Sequence, residues 1–335
     1  MALKSYSLEN LKNSPSNLIL MGKKELVERA FQRGSLLTVK NPFYAKNLLS
    51  YFNYKYTNDV GRIGDITTDA ILKNSGKVRA IIKAKQNGII SGIEEISFLY
   101  SKHGVKVKAM KKDGSQVKKG QVVAELYGNE KTLMTLERIC MDLLQRMSGI
   151  STAASAMMKK IGKNTIAPTR KTELLYLDKK AVYDAGGYTH RLALWDAILI
   201  KENHLAIIKK EGHKKYIEEA LRRAFLNAKN AKFIEVEVRN SKEAYSAAFY
   251  YNNSLKLINK KIPFIIMLDN FTPEKIRATI DLLKKKKMLD NVLIEVSGGI
   301  NPKNVKAYAK TGTDMISIGY LTHSARALDL TQLVI

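Results

Sequence analysis

The amino-acid sequence predicts a two-part α/β protein, a small antiparallel sheet module followed by a parallel α/β barrel. Three observations predict it. Between residues 77 and 128, short β-rich runs follow one another at glycine-marked turns. From residue 165 onward, strand-like runs alternate with helical stretches, the pattern of parallel βα units. Side chains suited to chemistry stand at the C-terminal edges of those later strands, at Arg170, Lys201, Glu237, Asp269, Ser297 and Gly319. In a barrel such positions converge on one mouth. A doubly wound sheet would instead carry a glycine-rich nucleotide loop after its first strand, and none follows here.

In chain order, residues 1–40 read as a polar extension with one amphipathic stretch at 23–32. A helix is expected at 44–52, before Gly61-Arg62-Ile63-Gly64-Asp65. The β-rich runs of the module are 78–82, 88–91, 105–110 and 122–126, with turns at Asp113-Gly114 and Lys119-Gly120. Residues 131–158 read as one or two helices, with Gly149 marking a break. The barrel strands are 165–168, 197–200, 233–238, 264–268, 292–296 and 315–318. The helices between them are 174–185, 216–228, 241–252, 273–286 and 302–311. The chain thus divides into an extension (1–40), a sheet domain with its connecting helix (41–145) and a barrel domain (146–335).

With 335 residues, 45% of them hydrophobic and 26% charged, the chain has ample core and the composition of a globular protein. No apolar run approaches the roughly 18–20 residues that span a bilayer. Met1-Ala2-Leu3-Lys4-Ser5-Tyr6 lacks the apolar core of a secretion signal. The single cysteine, Cys140, has no internal partner for a disulfide, and together these features predict a soluble cytoplasmic protein. The net charge of +26 comes largely from lysines in runs such as 159–160 and 284–287. It reads as a lysine-rich surface rather than a nucleic-acid footprint, because no helix-turn-helix, zinc-finger or aromatic-basic RNA motif accompanies it.

Between residues 169 and 204, Arg170, Lys171, His190, Arg191 and Lys201 flank two short apolar runs. Arginine offers a planar fork to carboxylates and phosphates and lysine a mobile point charge, so the cluster suits a small ligand with several negative charges. Ser297-Gly298-Gly299-Ile300, followed by Asn301-Pro302, puts glycines between a strand and a helix, where backbone N–H groups can hold a phosphate. Gly319, after the next strand, supplies the second half; the alternative is a plain tight turn. Glu237 and Asp269 each end a strand beside that site. They suit Mg²⁺ shared with a substrate phosphate or, equally, ion pairs with Lys171 or Lys201. Glu235 lies two residues from Glu237, hence on the same side of the strand, and needs a cation if it is buried. No HxH or HExxH spacing points to histidine-bound zinc. His103 and His213 read as surface residues, and Tyr188 and Trp195 as packing residues.

With these residues in place, the chain resembles the quinolinate phosphoribosyltransferase (carboxylating nicotinate-nucleotide pyrophosphorylase) family over about residues 42–330. The carriers include Gly64-Asp65-Ile66-Thr67-Thr68, Glu137-Arg138, Gln145-Arg146-Met147-Ser148-Gly149, Thr169-Arg170-Lys171-Thr172, His190-Arg191 and Leu199-Ile200-Lys201-Glu202-Asn203-His204. Further on they are Glu235-Val236-Glu237-Val238, Leu268-Asp269-Asn270-Phe271, Ser297-Gly298-Gly299-Ile300 and Leu321-Thr322-His323-Ser324. The resemblance implies an N-terminal open α/β sandwich joined to an incomplete parallel α/β barrel, the type II phosphoribosyltransferase architecture. It implies transfer of a phosphoribosyl group to quinolinate with loss of CO2, Mg²⁺ as the cofactor, no organic cofactor, and a homodimer or higher homo-oligomer.

By that resemblance Arg170, His190, Arg191 and Lys201 hold quinolinate, and Arg138 completes the site from the neighbouring subunit. Lys171, Glu237, Asp269, Ser297, Gly298, Gly299, Gly319 and His323 hold phosphoribosyl pyrophosphate. Lys171, Glu237 and Asp269 serve the chemistry, and Glu237 and Asp269 the metal, directly or through substrate or water. The segment Glu173-Leu174-Leu175-Tyr176-Leu177 departs from the family pattern Thr-Pro-Gly-Leu-Arg. Other readings are a relative acting on nicotinate or another aromatic acid, a Schiff-base aldolase using Lys201, and an inactive homologue that binds nucleic acid.

Overall fold

The computed structural model describes residues 22–73, 76–162, 164–254 and 262–335. Residues 1–21 of the expected extension lie outside that set. Its amphipathic stretch forms helix α1 (Lys23–Phe31), which belongs to the barrel rather than preceding it. Leu26, Val27, Ala30 and Phe31 join Ala167, Ala197, Phe233, Ile265, Leu293 and Met315 in one buried cluster that closes the barrel floor.

Helix α2 (Pro42–Val60) starts two residues before the expected helix and runs about two turns past its end. Proline stands at its first position, and the Asn41 side chain accepts a hydrogen bond from the N–H of Phe43. The Gly64-Asp65-Ile66-Thr67-Thr68 motif opens a further helix, α3 (Ile66–Ile71), because Asp65 accepts from the N–H of Thr68 at 3.0 Å and from its hydroxyl at 2.6 Å.

The module is a four-stranded antiparallel sheet in the order β12-β1-β5-β3. Its strands are β1 (Lys77–Ala84), β3 (Lys106–Ala109), β5 (Val122–Asn129) and β12 (Leu330–Val334). A small ribbon of β2 (Gly88–Ile89) and β4 (Gln116–Val117) stands beside it. Two expectations are corrected here. Residues 93–102, read as part of the β-rich stretch, form helix α4 (Ile93–Lys102). Ile93, Ile96, Leu99 and Tyr100 are buried at helical spacing, and Asp113 caps the first turn by accepting from the N–H groups of Ile93 and Glu94. Second, β12 lies in this sheet, so the barrel domain does not extend to residue 335; the chain returns to its first domain to end.

Helix α5 (Glu130–Ile161) joins the two parts as one unbroken run of 32 residues, so Gly149 is not a break. A Cβ at Gly149 would stand 2.0 Å from the carbonyl oxygen of Arg326 and 2.8 Å from the Cα of Ala327. Glycine is there to let another backbone cross the helix closely.

The second sheet is parallel throughout, in the order β6-β11-β10-β9-β8-β7. Its strands are β6 (Ile166–Pro168), β7 (Ile198–Ile200), β8 (Ile234–Val238), β9 (Phe264–Asp269), β10 (Val292–Ser297) and β11 (Met315–Ile318). Helices α6 (Leu175–Asp184), α7 (Glu202–Lys210), α8 (Tyr216–Asn227), α9 (Ser241–Ser254), α10 (Pro273–Lys285), α11 (Val305–Ala309) and α12 (Tyr320–His323) alternate with them. β6 and β7 are consecutive in sequence yet form the two edges, so the barrel stays open between them. The segment after Gly187 spans that gap: Tyr188 N–H donates to Ile166 O at 2.9 Å and Thr189 N–H to Phe31 O at 3.2 Å.

Candidate active site at the barrel mouth

The Thr169–Thr172 loop leaves β6 held from several directions. Arg146 of α5 donates two bonds to the fully buried Asp178, at 2.9 and 2.7 Å, and Asp178 accepts a third from the Thr172 hydroxyl. Thr322, in α12, donates its hydroxyl to Lys171 O at 2.6 Å. The departing segment adds to this clamp, since Glu173 pairs with Arg146 at 3.2 Å. Arg170 and Lys171 are thereby left exposed at the mouth on a fixed backbone. Lys201 starts α7; its N–H donates to His204 Nδ1 at 2.9 Å, which makes His204 a helix-capping residue and leaves the lysine side chain exposed.

Arg191 descends from the gap segment, 6% exposed, and donates to Ala197 O at 3.2 Å. Burial lowers its pKa, and Arg170 is close enough to lower it further. Under these two arginines lies Lys179 of α6, fully buried, with Nζ donating to Thr189 O at 2.7 Å. Burial, then the charge of Arg191, pushes its pKa down to about 7.

Across the mouth, Glu237 and Asp269 are brought together as expected of their strand ends. Ser297 is paired in register with Asp269. The cation that meets both carboxylates is neither Lys171 nor Lys201 but Arg239, at 3.6 Å from Glu237 and 3.3 Å from Asp269. Arg239 also reaches Glu202 at 2.5 Å. Burial and the neighbouring Asp269 charge raise the pKa of Glu237. Gly298 has φ +95°, and a Cβ there would fall 2.1 Å from Asn270 Oδ1; Gly299, φ +63°, has open space where a side chain would be. The turn therefore needs glycine for both fold and approach. At Gly319 a Cβ would stand 3.2 Å from the His323 ring and 3.4 Å from Thr169 Oγ1, so β11, α12 and the Thr169 loop meet at one point.

His190 sits lower than the other cations. Its φ is +54°, and Nδ1 accepts the N–H of Arg191 at 2.7 Å. Nε2 faces Glu295 at 3.1 and 3.2 Å and Glu235 at 3.4 Å, all three residues are buried, and the His190 ring packs against Phe31 and Phe233. Their spacing is that of metal ligands. The acceptor role of Nδ1, however, puts the neutral ring's proton on Nε2 and removes the lone pair a metal would need. Glu235, expected to accompany Glu237, is instead sealed beneath it. Burial first, then Glu295, raises its pKa well above the usual carboxylate range. Arg138 stands apart from the mouth residues, exposed on α5 and paired with Asp142 at 3.5 Å.

Three participants escaped the reading of the sequence. Arg239 had a local signal, since it lies two residues beyond Glu237 on the same side of an extended chain. Asp178 and Lys179 had none: a buried aspartate and a buried lysine in a short helix look like surface residues until α5 and Thr189 are placed against them.

A curled parallel barrel carrying arginines and lysines, a carboxylate pair and a glycine turn at one mouth defines an enzyme class that handles small, multiply anionic substrates. The comparisons narrow the class. The quinolinate phosphoribosyl transferase N-terminal domain matches residues 65–148 and the C-terminal domain residues 150–332, and the chain belongs to this family. It is 40% identical over 281 residues to the probable carboxylating nicotinate-nucleotide pyrophosphorylase of Methanocaldococcus jannaschii, covering 82% of this chain and 92% of that one. To the Bacillus subtilis protein of the same name it is 34% identical, over 87% of this chain and 93% of the other. The solved nicotinate-nucleotide pyrophosphorylase of Francisella tularensis superposes with a TM-score of 0.71 at 28% identity, over 87% of this chain and 96% of that chain.

Proposed function

We propose that this protein is a pentosyltransferase of NAD biosynthesis. It moves the phosphoribosyl group of phosphoribosyl pyrophosphate to quinolinate with loss of CO2, giving nicotinate mononucleotide and pyrophosphate. One juxtaposition carries the reading. Arg170, Arg191 and Lys201 share a mouth with the Glu237–Asp269 pair and the Ser297–Gly299 turn, so a diacid and a polyphosphate can lie side by side. The names of relatives up to 40% identical supply the substrates.

In this reading Arg170, Arg191 and Lys201 take the two pyridine carboxylates. His190 lies below them, bonded to the backbone of Arg191. Arg138, exposed on α5, reaches the site of the neighbouring subunit in a homodimer or larger assembly. Lys171, Ser297, Gly298, Gly299, Gly319 and His323 hold the phosphates and ribose. Glu237 and Asp269 suit Mg²⁺, because their oxygens already converge on the guanidinium of Arg239, a stand-in cation. Bound there with the substrate, Mg²⁺ would neutralise charge on the departing pyrophosphate.

The pyridine nitrogen attacks the anomeric carbon as pyrophosphate leaves. Lys171 meets the charge growing on the leaving group, and a mouth carboxylate faces the charge growing on the sugar. The alkylated ring then accepts the electron pair freed when the adjacent carboxylate departs as CO2, and a proton replaces it. Among the described residues no helix is long and apolar enough to cross a membrane; the proposed activity, on small soluble substrates, is cytoplasmic.

The test is release of labelled CO2 from carboxyl-labelled quinolinate with Mg²⁺, with and without phosphoribosyl pyrophosphate. Donor-dependent release is the expected result. No release by an enzyme that still binds the donor would sink quinolinate as the acceptor.

A further inference from the structure

The position that a divalent cation would take between Glu237 and Asp269 is held by part of the protein itself. Arg239 follows β8 and turns its guanidinium back over the strand ends. One nitrogen lies 3.3 Å from Asp269, and the other serves Glu237 at 3.6 Å and Glu202 at 2.5 Å. The backbone is fixed for this purpose. Arg239 N–H donates to Glu243 at 2.8 Å and Arg239 O accepts from Lys275 at 3.1 Å, while the Lys275 chain lies over the Phe271 ring at 4.2 Å. The Arg239 side chain is 42% exposed, so its backbone is anchored while solvent reaches the guanidinium that spans the carboxylates. Glu237 and Asp269 are each 14% exposed, so two half-sunk carboxylates face one another with a single guanidinium between them.

A guanidinium and a divalent ion cannot share those oxygens. We propose that Arg239 is the resident counter-cation of the Glu237–Asp269 site, so that a divalent metal enters by exchange with the guanidinium rather than by filling an open site. Glu202 gives the displaced guanidinium a carboxylate to retain. The exchange keeps the carboxylates paired when no substrate is bound, and it weakens capture of metal that arrives without the donor. Arg239 is then a positioning residue that gates the metal site. The inference rests on the proposed metal role of Glu237 and Asp269, and its test separates the two.

The experiment is Mn²⁺ binding to the substrate-free full chain, followed by the paramagnetic resonance signal of free Mn²⁺, for the parent, Arg239→Ala, Arg239→Ala with Glu237→Gln, and Lys242→Ala. Arg239→Ala is expected to tighten Mn²⁺ roughly five- to tenfold, the scale of two partly exposed ion pairs removed. Adding Glu237→Gln is expected to abolish the gain. Unchanged or weaker binding by Arg239→Ala overturns the exchange. So does an equal gain in Lys242→Ala, which removes the same charge from an exposed lysine three residues beyond Arg239 and would mark a general field effect. If Glu237→Gln leaves Mn²⁺ binding to Arg239→Ala intact, the metal role of Glu237 fails, and the exchange with it.

Discussion

Replacing Arg146 by alanine probes how the loop bearing Arg170 and Lys171 is held in place. Asp178 is fully buried and receives the Arg146 fork at 2.9 and 2.7 Å. Without it the carboxylate keeps only the Thr172 hydroxyl as a side-chain donor. Stranding one member of a buried ion pair costs about 3–5 kcal/mol. The Arg146 side chain is 27% exposed, so water can partly replace it, and about 2–4 kcal/mol is the expected loss. For a chain of this length that amounts to a fall in Tm of about 3–6 °C. Because Arg146 no longer holds the Asp178 carboxylate to which Thr172 is tied, kcat/KM should also fall by more than about tenfold, a loss of roughly 1.4 kcal/mol in transition-state binding. Thermal unfolding and steady-state kinetics on the same preparations measure both. Arg146→Met combined with Asp178→Asn, which removes both charges, should recover at least half the lost Tm. A Tm within 1 °C of the parent for Arg146→Ala would refute the clamp.

Three further outcomes are expected. Arg170→Ala should lower kcat/KM for quinolinate by about 10², through loss of a charge-assisted contact of about 2–5 kcal/mol; near-parent kinetics would remove Arg170 from the site. Gly149→Ala should destabilise by about 1–3 kcal/mol or more, because the new methyl meets the Arg326 and Ala327 backbone, which cannot move cheaply; a denaturant midpoint equal to the parent's contradicts that crossing. Glu95→Gln should show a stability advantage that grows with pH. Glu95 is fully buried beside the Tyr44 hydroxyl, 2.7 Å away, and burial raises its pKa from 4.5 to about 8. Between those values the folded protein holds a proton that the unfolded chain has released, so the Glu95 contribution falls as pH rises through the window. Glutamine does not titrate, and the difference between variant and parent should widen by on the order of 2–4 kcal/mol from pH 5 to pH 8; a difference constant with pH rules it out.

What the sequence disclosed follows from where its signals are local. The barrel strands were legible because each is a short apolar run ending in a polar or glycine residue, and a parallel strand covered on both faces must look like that. The mouth residues were legible for the same reason, standing at or just past the C-terminal end of each strand. The misplacements came from contacts distant in sequence. Gly149 signals a break in every local scale, and only the crossing of residues 326–327 explains why a helix tolerates it. Residues 330–334 follow the last barrel strand in sequence, and only the open edge of β1 shows that they belong to the other sheet. Helix α4 carries Ile93, Ile96 and Leu99 at helical spacing, but strands on either side obscured it. His190 and Arg191, adjacent in one motif, were read as equivalent cations. The left-handed backbone at His190 separates them, sending one ring down to Glu235 and Glu295 while Arg191 stays beneath Arg170.

That separation explains how such a mouth can fold before any substrate arrives. Arg170, Arg191 and Lys179 lie within reach of one another's fields, and each disfavours the charge on the next. The protein offsets this from below and from the side. Asp196 and the Glu235–Glu295 pair favour the charge on Arg191, and Arg239 occupies the carboxylates that would otherwise compete for the cations. Lys179, its pKa lowered to about 7 by burial and by Arg191, supplies a hydrogen bond to Thr189 while carrying only part of a positive charge at neutral pH. Opening the barrel between β6 and β7 makes this possible, because a closed ring would fill the space through which the gap segment lowers Arg191 and His190 into the interior. An anionic substrate therefore meets cations whose repulsion is already balanced, and binding it requires little rearrangement of the walls.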